Sequence, residues 1–148
     1  MKRFDLRRDD GVAMTEFALI VPVFLLVVAG MLGFGRALFY WIDANHLANE
    51  TARWAVVDRN PYAPTTLQQS ARNSGGTVEF TNASVCITFP DGTQAVGHPL
   101  KVQVKKPFTF VPILNIGTIN IAGAATLRIE RVTTSPTYKT SENLGTCS

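Results

Sequence analysis

Two histidines, two cysteines and eleven carboxylates are the side chains in this 148-residue chain suited to proton transfer, nucleophilic attack or metal ligation. His46 and His98 fall in different segments, and neither has a carboxylate or cysteine at ligand spacing, which argues against a metal site or a histidine base. Asp43 and Glu50 lie on one side of a helix, where a solvated face explains them better than paired acid–base work. There is no glycine-rich phosphate loop and no nucleophile elbow. No cofactor is expected, and the chain reads as a structural or assembly protein rather than an enzyme. One carboxylate stands apart. Glu16 sits at the mouth of an uncharged run from Phe17 to Gly35. A carboxylate drawn to the centre of a bilayer costs on the order of 2.5–3.5 kcal/mol, so Glu16 marks a functional site that needs a partner.

The element that positions Glu16 is that apolar run. Its nineteen residues span about 29 Å as a helix, the thickness of a hydrocarbon core. Lys2, Arg3, Arg7 and Arg8 precede it, and only Arg36 and Arg53 follow within about 20 residues, so the N-terminus is expected in the cytoplasm and the rest exported. Cys86 and Cys147 then share an oxidising compartment, where a disulfide between them would tie the C-terminal tail to the domain and contribute about 4 kcal/mol by loop entropy. The net charge of +3 is spread along the chain without aromatic interleaving, which excludes a nucleic-acid footprint.

The rest of the chain has room for one small domain. A single helix is expected from Val12 to about Val57, kinked at Pro22, which a membrane helix tolerates. Past Arg36 it turns from apolar all round to striped: Ala37, Trp41, Ala44, Ala48, Thr51 and Ala55 form a packing seam, with the chain's own sheet as first partner and other chains second. Gly30 and Gly33 form a second small-residue seam within the membrane. Asn60–Pro64 ends the helix, and Thr65 is placed to cap a short helix through Arg72. Strands are expected between Thr77 and Phe89, from Leu100 to Lys105, and from Ile119 to Val132. Pro107–Gly117 reads as an apolar connection, with three uses open: folding onto the domain, dipping into the outer leaflet, or receiving a neighbouring subunit. The fold class is α+β, a long N-terminal transmembrane and amphipathic helix followed by a small antiparallel sheet of three or four strands. Its parts are a leader (1–11), a membrane helix (12–35), its periplasmic continuation (36–58), an α+β domain (59–132) and a tail (133–148).

A short basic leader ending in Gly11, then Val12-Ala13-Met14-Thr15-Glu16-Phe17 and a long apolar helix, resembles the prepilin peptidase site of the type IV pilin superfamily. The wider string from Glu16 to Leu26, followed by Gly33-Phe34-Gly35-Arg36 and Ala52-Arg53-Trp54-Ala55, resembles the TadE-like family, minor pilins or pseudopilins of the bacterial tight-adherence pilus. The likeness thins to the strand ending at Lys105 and to Ala124–Glu130. It implies cleavage between Gly11 and Val12 by prepilin peptidase, with Glu16 as assembly carboxylate beside Phe17, facing the freed amine of Val12 on a neighbour or on its own chain. The implied partners are other minor pilins, the major Flp-type pilin, the inner-membrane assembly platform and the lipid bilayer. The implied location is the bacterial inner membrane, single-pass, possible incorporation into an extracellular pilus included. The alternative is an exported or signal-anchored periplasmic protein with a binding domain, because Val27-Val28-Ala29 could serve as a signal-peptidase site and leave Gly30 first.

Overall fold

A computed structural model describes residues 9–61, 63–74, 80, 83–111 and 116–132. Five elements follow in order: α1 (Asp9–Val56), α2 (Leu67–Ser74), β1 (Ser84–Thr88), β2 (Pro99–Val111) and β3 (Ile116–Arg128). The expected α+β class holds, with three strands. The chain divides into two compact units, Met1–Arg36 and Ala37–Ser148.

The described part of the first unit is helix, with Phe17, Leu19, Ile20, Phe24 and Leu26 among its exposed apolar side chains. Among the described residues α1 is the one helix long and apolar enough to cross a membrane, over Gly11–Val56. Pro22 lies inside it.

In the second unit the remaining turns of α1 lie on a sheet of order β1-β2-β3, antiparallel throughout. Alternation along the strands sends Val85 and Ile87 of β1, Leu100, Val102 and Val104 of β2, and Ile121 and Ala125 of β3 inward. All of these but Ile121 meet Ala44, Leu47, Ala48, Ala52, Ala55 and Val56 of α1 in one core. Each buried Leu, Val or Ile contributes about 1.5–3 kcal/mol. The register pairs Val104 with Gly123. A Cβ on Gly123 would lie 2.3 Å from the Ala44 carbonyl carbon and 2.5 Å from the Asn45 nitrogen, so helix backbone rests directly on strand backbone. Only glycine permits that approach.

α1 ends at Val56, within a residue of the expected end near Val57, where Asp58 adopts a left-handed backbone at φ 49°. The Asp58 amide donates to the Ala55 carbonyl (3.1 Å) and the Arg59 amide to that of Trp54 (3.0 Å), a Schellman closure with aspartate in the usual glycine place. The Arg59 guanidinium carbon lies 5.7 Å from the Trp54 ring centroid. The freed Val56 carbonyl accepts from the amides of Glu130 (2.9 Å) and Arg131 (3.0 Å), which fastens the chain after β3 to the helix end.

Three expectations change. The cap of α2 is Thr66, whose Oγ1 accepts from the Gln69 amide at 3.3 Å, while the Thr65 hydroxyl is hydrogen-bonded to that of Ser70 at 2.7 Å. Pro107–Val111 and Ile116–Gly117 are not a connection but the last five residues of β2 and the first two of β3, paired antiparallel; residues 112–115 lie outside the described residues. The proline misled the reading: Pro107 lies past Ser84↔Lys105, where β1 ends, so β2 is paired on one side only there and tolerates a missing donor. β3 likewise ends at Arg128 rather than Val132.

Gly123→Ala in the full-length chain in detergent is expected to destabilise the domain by about 1–3 kcal/mol or more, because the intruding carbon meets backbone that cannot rotate away. Ala124→Val, on the exposed opposite face, should unfold near the wild-type midpoint in the same denaturant titration followed by near-UV circular dichroism.

Candidate functional site

The residues singled out at the N-terminus are all helical. α1 begins at Asp9, so it runs through the Gly11–Val12 junction rather than starting after it. Gly11 is exposed and a Cβ there would meet nothing within 4 Å, which leaves the backbone open to approach. The Thr15 hydroxyl donates to the Val12 carbonyl at 2.7 Å, within the turn that carries Glu16. Glu16 and Phe17 are exposed, Phe17 by 68 %. Within two turns of helix an accessible glycine is followed by an exposed carboxylate and an exposed aromatic ring, about 100° apart around the axis.

Within the membrane segment Pro22 and Gly30 are exposed, and a Cβ on Gly30 would meet nothing within 4 Å, whereas Gly33 is shielded. The upper seam divides. Ala44, Ala48, Thr51 and Ala55 are buried in the domain core, Ala37 is half-buried, and Trp41 is exposed. Tyr40 is the residue of that turn that meets the sheet: its ring centroid lies 5.2 Å from that of Phe108, which in turn packs edge-on against Phe110 at 5.2 Å. Lys106, on the inward face of β2, holds its ammonium 4.9 Å from the Tyr40 ring centroid and 5.1 Å from that of Phe80. Sequence reasoning missed this cluster. Extending the alternation of Leu100–Lys105 past Pro107 would have found it, since Lys106 and Phe108 continue the inward row.

The expectation that neither histidine has a carboxylate at ligand spacing is corrected: Glu50 is four residues beyond His46 on the same helix, and Asp91 meets His98 across a loop. His46 Nδ1 lies 3.9 Å from Glu50 one turn on, and His98 Nδ1 lies 3.5 Å from Asp91, both pairs at the surface. No group of three metal-ligating side chains occurs among the described residues. Cys86 is buried on the sheet face opposite the helix, between the inward-facing Val85 and Ile87; Cys147 lies outside the described residues.

The helix is thus the element with unspent surface. Residues 11–53 match the family model described as TadE-like protein. The match opens at Gly11 and closes at Arg53 in the penultimate turn of α1, so it covers the junction, the apolar run and the alanine row. It supports a membrane-anchored protein associated with the Tad pilus machinery. The weaker likeness in the closing strands lies beyond the matched TadE-like segment. No curated protein and no solved structure matches the chain.

Proposed function

We propose that this protein is a minor pilin, or pseudopilin, of a Tad-type pilus, cleaved after Gly11 by prepilin peptidase and packed with other subunits through its N-terminal helix. Its role is assembly, not catalysis. The observation that carries this reading is the exposed apolar helix in which Glu16 is the one charged residue from Gly11 to Gly35, matched to the TadE-like family from the glycine onward. Cleavage would leave the amine of Val12 four residues before Glu16. In low dielectric an ammonium and a carboxylate offset each other's burial cost, which suits Glu16 to setting register between subunits more than to stability. The partners on this reading are the peptidase, the other minor pilins, the major Flp-type pilin and the inner-membrane assembly platform. The domain would lie in the periplasm, with the N-terminus cytoplasmic before processing.

A signal peptide cut after Ala29 fits less well, because the mature chain would still present Met31, Leu32, Phe34, Leu38 and Phe39 to water. The burial of Cys86 on the sheet face away from the core supports a bridge to Cys147 that holds the tail against that face.

Mass spectrometry of the chain from membranes is expected to show Val12 at the N-terminus; a start at Met1 or Gly30 selects a rival. Glu16→Ala should insert normally yet be recovered in sheared pili at a small fraction of the wild-type yield, and full recovery would refute the role given to Glu16. Alkylation without reductant is expected to label neither cysteine, and both after reduction.

A further inference from the structure

We propose that Leu38, Phe39, Trp41 and Ile42, the first turns of α1 within the domain, lie in the headgroup layer of the outer leaflet, with the lipid surface as their partner. This rests on the membrane-spanning reading of the preceding segment. The four side chains are 45 %, 47 %, 53 % and 59 % exposed, although all four are large and apolar. At about 100° per residue they cover an arc of about 160° on the helix, the side away from Tyr40, whose ring is taken by Phe108.

What distinguishes a lipid surface from a protein partner is the shape of the apolar area. A helix packed on another helix shows a stripe along its axis. Here the exposed arc is apolar across its width up to Ile42 and then polar, with Asn45, His46, Asn49 and Arg53 on the same side. The boundary crosses the axis, as the surface of a bilayer does. Chain length agrees with that level. Phe17 to Ile42 is twenty-six residues, about 39 Å of helix, longer than the roughly 30 Å hydrocarbon core but within the 40–45 Å that includes the headgroups. Ile42 is six residues beyond Arg36, about 9 Å along the helix. Arg36 then lies below the phosphates and reaches them by extending its stem, while Trp41 occupies the layer where amphipathic rings concentrate. Ile119, paired with Phe108 and 43 % exposed, extends the apolar edge onto the hairpin.

The test uses the full-length chain in vesicles of phosphatidylcholine and phosphatidylglycerol. With W54F, Trp41 is the sole tryptophan, since the chain has two. Trp41 is expected to be quenched more strongly by lipids brominated near the headgroup than by lipids brominated near the chain end, and several-fold less by aqueous iodide than Trp54 in the W41F chain. If W54F is unstable, the wild-type signal minus that of W41F gives the same readout. Trp41 as open to iodide as Trp54 and untouched by brominated lipid overturns the inference, as does shielding that disappears when the chain is diluted in lipid, which would assign the face to a second copy. A chain that fails to float with the vesicles overturns the membrane-spanning reading itself; a chain that floats with Trp41 in water overturns this inference alone.

Discussion

Backbone touching backbone is the constraint on which the domain depends. At Gly123 the strand gives up its side chain so that the helix can lie on it at Ala44 and Asn45, and the residues that follow along the helix are correspondingly small: Ala48, Thr51, Ala52 and Ala55. Small residues on a helix contribute little apolar area of their own. What they permit is a short distance, at which the larger side chains of the sheet, Leu100, Val102, Val104, Val85 and Ile87, close around the helix and are excluded from water. The composition of the core is lopsided for this reason, with small residues on the helix and branched ones on the strands.

The same packing determines which surface of α1 remains for other partners. The face carrying Tyr40, Ala44, Leu47 and Thr51 is spent on the domain, and the Schellman turn at Asp58 with the two amides reaching Val56 closes the helix end. The opposite side and the first unit keep their surface. From Val12 to Gly35 that surface is apolar apart from Thr15 and Glu16, and Glu16 is exposed. In the second unit the sheet holds the closing turns of α1 in a folded body.

Several features were legible before any coordinates. An uncharged run of bilayer length, the basic residues ahead of it, the alternation of Leu100 to Lys105 and the three-four spacing of alanines each follow from periodicity and transfer energy, and each points to one local structure. Reading failed where local signals compete with tertiary pairing. Pro107 looked like a break because proline cannot donate to a ladder, yet it sits where β2 has one neighbour instead of two. No local pattern marks Asp58, and only the closing hydrogen bonds show why it takes the left-handed conformation there. Trp41 fell on the alanine row by count, but the helix turns Tyr40 to the sheet and Trp41 away from it.

By itself the sequence determined the class of fold and the apolar helix, because hydropathy over about twenty residues is a property of the chain alone. The tertiary structure decided which side of the helix the sheet occupies, how far the hairpin extends and that Gly123 is the point of closest approach. Those depend on register between strands distant in sequence and on the meeting of two backbones, which no local pattern encodes.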